Sequence, residues 1–141
     1  MLVTQESLVC DLSSAKFEKL NKFILSFFPI SHLAEFDRVY FTEWAPSCFG
    51  SSIVAFLGVQ GSSLEQLCVK PKWRQQGVAG ALLDRARNRL SYCEVTISKY
   101  SVDCDFLYNF FYWKGFDQRE GEEPHQFQMV WDRETLRFGK N

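Results

Sequence analysis

The chain has 141 residues, 46% of them hydrophobic and 16% aromatic, which is enough for one compact domain, residues 1–141, with a substantial core and excludes a disordered chain. Sixteen Lys and Arg against 17 Asp and Glu leave a net charge of −1, so no global basic field recruits nucleic acid or an anionic membrane. Cys10, Cys48, Cys68, Cys93 and Cys104 form an odd set without a C-x-x-C pair, the first residues lack a signal-peptide pattern, and His32 and His125 lie far apart; the expectation is a cytoplasmic protein with reduced thiols and no metal site.

In chain order, Leu8 to Leu12 reads as an opening strand and Ser13-Ser14 as a helix N-cap. Phe17, Leu20, Ile24, Phe27 and Phe28 follow at helical spacing, and Pro29 stops the helix. Ser31 starts a second short helix through Leu33 and Phe36. Val39 to Trp44 alternates β-formers with polar residues, Ala45 to Gly50 is a loop, and Ser51 to Val59 is a β-branched and aromatic run, so the three together predict a hairpin. The run Ile53 to Val59 is the longest apolar stretch and is too short to span a bilayer. Gln60 to Ser63 turns the chain into the next strand.

The stretch Leu64 to Leu90 organises the rest. Leu64, Leu67 and Val69 form a strand, Pro71 closes it, and Gly77 lets the backbone approach a ligand before a helix opens. The first N–H groups of that helix lack intrahelical partners and carry the positive end of its dipole, so an anion is stabilised there. Lys70, Lys72, Arg74, Arg85, Arg87 and Arg89 gather in this stretch, while Glu120, Glu122 and Glu123 gather further on; a local basic loop in a near-neutral chain suits a small polyanion better than a duplex. No Lys-Ser/Thr pair follows the glycine, which disfavours a nucleotide-hydrolysing phosphate loop.

Val69-Lys70-Pro71-Lys72-Trp73-Arg74-Gln75-Gln76-Gly77-Val78-Ala79 resembles the acetyl-CoA motif of the GNAT family of N-acetyltransferases, V-x-P, two residues, then R/Q-x-x-G-x-G/A. The resemblance implies an α/β (α+β) fold with a mixed, mostly antiparallel sheet of six to seven strands and about four helices. It also implies transfer of an acetyl group from acetyl-CoA to an amine of a small molecule or protein, by a monomer or homodimer. In the family, backbone groups at Leu67, Cys68 and Val69 pair with the pantetheine, and the loop from Arg74 through Gln75, Gln76, Gly77, Val78, Ala79 and Gly80 holds the pyrophosphate. His32, Glu35, Asp37 and Arg38 then fall where an acceptor binds, or form a solvated helix face.

Glu65 shares a strand face with Leu67 and Val69, because side chains alternate. It reads either as a desolvated carboxylate suited to act as general base, which the resemblance favours, or as a solvated residue at the sheet margin. After the loop, Ala79, Leu82, Leu83, Ala86 and Leu90 make the buried stripe of a helix, and Glu94 to Ile97 is a strand. Ser101 to Asp105 caps a helix, Phe106 to Lys114, closed by Gly115. Its end resembles a second family signature, F-Y-x-x-x-G-F, with one departure: Phe111 stands where the family has its tyrosine, and Tyr112 lies one residue on, about 100° around the helix. Tyr112 or Tyr108 is then the candidate general acid, or the six aromatics of this helix are core and the domain is a non-catalytic acetyl-CoA or CoA binder that regulates a partner. Phe127 to Trp131 is a last strand, Gly121 to His125 a turn before it, and Arg133 to Asn141 a charged tail.

Overall fold

The computed structural model describes residues 1–28, 32–47, 50–119 and 124–134. Seven strands and three α-helices alternate as β1 (Leu2–Leu8), α1 (Ser14–Phe27), β2 (Arg38–Ser47), β3 (Gly50–Gln60), β4 (Ser63–Val69), α2 (Val78–Arg89), β5 (Tyr92–Ser98), α3 (Cys104–Trp113), β6 (Asp117–Arg119) and β7 (Gln126–Asp132). The strands hydrogen-bond in the order β1-β2-β3-β4-β5-β7-β6. β1/β2, β2/β3, β5/β7 and β6/β7 run antiparallel, and β4/β5 runs parallel. The expected α/β class with a mostly antiparallel sheet holds, with three α-helices among the described residues rather than about four. The fourth reduces to a 3-10 turn at Leu33–Glu35, too short to be an α-helix, while Ser31, read as its start, lies outside the described residues. No helix among them is long and apolar enough to cross a membrane.

The chain divides into two compact units. The first comprises Met1–Gly61 and Glu65–Ala86. Its first strand is Leu2–Leu8, and the segment read as strand instead begins a 3-10 turn at Val9–Asp11. Ser13 caps α1 as expected, its hydroxyl accepting from Lys16 N–H at 3.1 Å. Leu20, Phe23 and Ile24 are the buried positions of α1; they pack with Val39, Phe41 and Phe56 of β2 and β3. Phe23 completes an i, i+3, i+4 stripe with Leu20 and Ile24 and is not among the positions read from the spacing, and Pro29 lies outside the described residues. β3 is buried continuously from Ile53 to Val59, as an apolar run without alternation requires of a strand covered on both faces. β2 and β3 reach Ser47 and Gly50, so the hairpin loop is shorter than Ala45 to Gly50; Cys48 and Phe49 lie outside the described residues.

The second unit comprises Ser62–Leu64 and Arg87–Asn141. Ser63 and Leu64 pair with Glu94 and Val95, and β5 pairs with β7 from Tyr92↔Asp132 to Ser98↔Gln126. Phe111 and Phe116 fill its core edge to face, with ring centroids 5.0 Å apart. Gly115, at φ 93°, turns the chain out of α3 in the left-handed region that favours glycine. Arg87 Nη1 donates to Lys114 O (2.5 Å) and Arg133 Nη2 to Arg87 O and Leu90 O, so two cations satisfy the carbonyls that end α3 and α2. The glutamates at 120, 122 and 123, most of the Gly121 to His125 turn, and residues 135–141 of the charged tail lie outside the described residues.

Candidate functional site

The loop of the first unit is built by its own hydrogen bonds. Lys70 N–H donates to Val54 O (2.9 Å), which carries β4 to its end. Pro71 then opens a 3-10 turn, Pro71–Trp73, closed by Trp73 N–H on Lys70 O (2.8 Å) and Arg74 N–H on Pro71 O (3.3 Å). Gln75 and Gly77 both adopt positive φ, 61° and 80°. Gln76 Nε2 reaches back to Lys72 O (3.0 Å). The ladder of α2 begins with Ala81 N–H on Gly77 O (3.0 Å), so the N–H groups of Val78, Ala79 and Gly80 lie ahead of it at the positive end of the helix.

Lys70, Lys72, Arg74, Gln75, Gln76 and Gly77, which lead into these donors, are exposed, with Lys70 Nζ 5.9 Å from the Phe23 ring centroid and Lys72 Nζ 6.0 Å from that of Trp73. Arg74 does two things: its Nε donates to Val69 O (3.1 Å), and its charge stands beside the loop. Trp73 packs against Trp44 of β2, with centroids 5.2 Å apart, which holds the 3-10 turn against the sheet. Arg74 through Gly77 form an exposed turn, and Val78, Ala79 and Gly80, buried or half-buried, open α2 directly behind it.

On β4, Leu64 and Cys68 are buried, Leu67 and Val69 are half-buried, and Glu65 is exposed. The alternation is as expected, but the face bearing Glu65 is the less covered one, so the desolvation argument for a base there does not hold. Burial pushes the Cys68 thiol up to about 12 against the opposing charge of Arg74, and pushes Cys93 up to about 11 against Arg87 and Arg133. Both stay protonated near neutrality and neither is a nucleophile. Among the described residues no cluster of metal-ligating side chains occurs.

In the second unit, Phe111 is buried in the core. Tyr108 and Tyr112, one helical turn apart, stack at 6.4 Å. The Tyr108 hydroxyl donates to Gln118 Oε1 (2.9 Å), while Tyr112 is exposed. α3 runs regularly to Trp113, so its end is not adjusted to turn Tyr112 into the place of Phe111.

A buried cluster in the first unit went unread in the sequence. Glu43 of β2, 5% exposed, receives Lys16 and Lys19 of α1 and accepts from Ser51 Oγ. Its signal was a charged residue at an inward position of an alternating strand, opposite lysines one turn apart in α1. Burial alone would raise its carboxyl, but the hydrogen bonds from Lys16 and Ser51 and the charges of both lysines outweigh it and hold the group below its ordinary value. A depressed carboxyl adds stability that is complete above the ordinary range and disappears as pH falls through the folded value. The expected result is that Glu43→Gln costs about 1–2 kcal/mol near neutrality and flattens the stability loss below pH about 4. Acid titration followed by circular dichroism checks this, and parallel curves for the two proteins would refute it.

The acetyltransferase (GNAT) domain profile matches residues 40–127, more than half of the chain. No curated protein matches. Among solved structures, the chain is similar to ElaA of Escherichia coli (TM-score 0.70, 16% identity), covering 94% of this chain and 100% of that one. It is similar to Arabidopsis thaliana NAA60 in complex with a bisubstrate analogue (TM-score 0.67, 11% identity, 94% and 99% covered). It is also similar to Arabidopsis thaliana Naa50 in complex with the bisubstrate analogue CoA-Ac-MVNAL (TM-score 0.66, 10% identity, 92% and 98% covered). At these identities the likeness is one of fold.

Proposed function

The chain belongs to the GNAT acetyltransferase family, and from that premise we propose that it transfers an acetyl group from acetyl-CoA directly to a primary amine of a small molecule or protein. The observation that carries this reading is the segment from Arg74 to Gly80, where two positive-φ residues lead into the start of α2 and its backbone N–H groups, preceded in sequence by the exposed cations Lys70, Lys72 and Arg74. That segment fits a diphosphate: it is exposed from Arg74 to Gly77, carries the Arg74 charge, and is open at Gly77, where an added Cβ meets nothing within 4 Å. Backbone groups of Leu67 to Val69 are the proposed partners of the pantetheine. Naa50, which carries a peptide-like analogue, makes a peptide amine a reasonable acceptor class beside small amines.

Bound acetyl-CoA supplies a thioester carbonyl that an amine attacks, forming the N–C bond as the C–S bond breaks. An alkylamine is mostly protonated at neutral pH, and removing its proton costs about 4 kcal/mol, so a base assists. Glu65, acting through water, is the proposed base; Tyr112 or Tyr108 is the proposed donor of a proton to the departing thiolate. Glu65→Gln is expected to cut turnover about a hundredfold at unchanged acetyl-CoA affinity, and Tyr112→Phe about tenfold or more. Turnover within twofold of the parent in both would remove these residues from the chemistry.

A second reading, a non-catalytic acetyl-CoA or CoA binder that regulates a protein partner, is favoured by the buried Phe111 and by the engagement of Tyr108 with Gln118. Calorimetric titration with acetyl-CoA, followed by an amine panel monitored by free-thiol release, tests both. Binding with turnover supports the transferase, binding without turnover the regulator, and no binding of any CoA ester refutes both.

A further inference from the structure

The hydrogen bonds that shape the turn before α2 are local. Trp73 N–H on Lys70 O, Arg74 N–H on Pro71 O, Arg74 Nε on Val69 O and Gln76 Nε2 on Lys72 O each begin and end within residues 69–76. Such bonds give a loop its shape without tying it to the sheet. Within them Gln75, at φ 61°, stands in the left-handed region, which most side chains disfavour and asparagine tolerates better. A residue in that state persists when the surrounding structure holds it there. The support lies on β2. Trp44 is outside the turn's own sequence, yet its ring lies 5.2 Å from that of Trp73 at 46°, within the range of aromatic pairs, and both indoles are half-buried. The register of β2 with β3 shifts on both sides of this part of the strand, between Thr42 and Glu43 and again between Trp44 and Ser47. Irregularities of this kind bend a strand and re-aim its side chains. At the first shift Thr42 faces Ala55 and Glu43 faces Ile53, which leaves Val54 as the extra residue; Val54 O is the acceptor of Lys70 N–H (2.9 Å). The same irregular patch of sheet therefore meets the turn twice, at its entrance through Val54 and at Trp73 through Trp44.

We infer that Trp44 is a positioning residue for cofactor binding: it holds Trp73, and through it Arg74 to Gly77, in the shape that receives a diphosphate before any ligand arrives. The inference rests on the acetyl-CoA reading given above. A loop ordered in advance loses less freedom when its ligand binds, so removing the Trp44 ring weakens affinity although that ring acts only through Trp73. The strained Gln75 makes the turn depend on this support. With the ring gone, the backbone at position 75 is released toward negative φ, and the N–H groups around it turn away from a common anion.

Two measurements on the full chain test this, calorimetry with acetyl-CoA and amide hydrogen exchange without ligand. Trp44→Ala is expected to weaken binding about tenfold. In the same variant the Trp73 and Arg74 amides exchange about tenfold faster or more, while the Phe28 amide, bonded to Ile24 O at the end of α1, keeps the parent rate. Trp44→Phe retains a ring and stays within about threefold of the parent in both measurements. Gln75→Asn placed in Trp44→Ala recovers most of the affinity, because asparagine holds positive φ with less help; a merely structural loss at Trp44 would not respond to position 75. Trp44→Leu replaces the alanine variant if that chain does not fold, as judged by far-ultraviolet circular dichroism. A parent that binds acetyl-CoA while Trp44→Ala binds it equally well, or Trp73 and Arg74 amides that exchange at the parent rate, overturns the inference and leaves the acetyl-CoA reading standing. A parent that binds no CoA ester refutes that reading and this inference with it.

Discussion

Replacing Gly77 by aspartate is expected to weaken acetyl-CoA binding about a hundredfold while leaving the folded structure close to its original stability. The position has φ 80°, which costs a residue with a Cβ about 1–2 kcal/mol. An added Cβ meets nothing within 4 Å, so no overlap adds to that strain. The Gly77 carbonyl receives Ala81 N–H whatever the side chain, and aspartate is among the residues that tolerate the left-handed region best, which limits the loss. Binding has no such offset. A carboxylate about 4 Å from a phosphate costs on the order of 4 kcal/mol at an effective dielectric of 20, and it competes for the same N–H groups. Asparagine at position 77 has the same shape and tolerance of positive φ without the charge, so it separates the two effects: it is expected to bind within a few fold of the parent. Calorimetry on both variants decides, and normal affinity in Gly77→Asp would falsify the assignment of this turn to the pyrophosphate.

The largest expected effect on stability lies at Gly58. A Cβ there would sit 2.9 Å from three atoms of the Phe36 ring, closer than carbon atoms approach without displacement. Phe36 is 5% exposed and its ring lies 5.7 Å from that of Phe56, so it cannot simply swing into solvent. Gly58 belongs to the strand buried on both faces and is registered against Val39, which prevents the backbone from retreating. Gly58→Val is therefore expected to destabilise the fold by about 3 kcal/mol, the upper end of overpacking costs, despite the better strand propensity of valine. Phe36→Leu in the same chain should return part of that loss, because it removes the atoms in conflict. Urea denaturation of the two single variants and the double variant measures the coupling; a loss below about 0.5 kcal/mol for Gly58→Val would show that the ring yields freely.

What the sequence revealed was the local part of this architecture. The Ser13 cap, the unalternating β3, the Pro71 stop and the helix opening at Gly77 each follow from a few neighbouring residues, and each was legible. The opening strand was misplaced because Leu2–Leu8 lies at the sheet edge, where half-exposed LVTQESL shows little apolar contrast, while Leu8 to Leu12 is richer in apolar residues yet turns. Glu65 was read from alternation together with the resemblance, and alternation tells which residues share a face but not which face is covered. Glu43 needed a non-local fact, the arrival of Lys16 and Lys19 from 27 and 24 positions earlier. In α3 the six aromatics could not be divided by composition; packing places Phe111 inside and leaves Phe106, Tyr112 and Trp113 exposed.

The order β5-β7-β6 also bears on how the polypeptide emerges from the ribosome. β6 is three residues long and, among the described residues, hydrogen-bonds only to β7, which is made after it and lies between it and β5. A nascent chain displaying β5, α3 and β6 has no ladder into which β6 can dock. That half of the sheet must await synthesis of Gln126–Asp132, which then inserts as an interior strand against Tyr92–Ser98, whereas β1, β2 and β3 can zip together in the order in which they are made. Until that insertion, the apolar faces of β5 and α3 remain the part of the growing chain most exposed to chaperones.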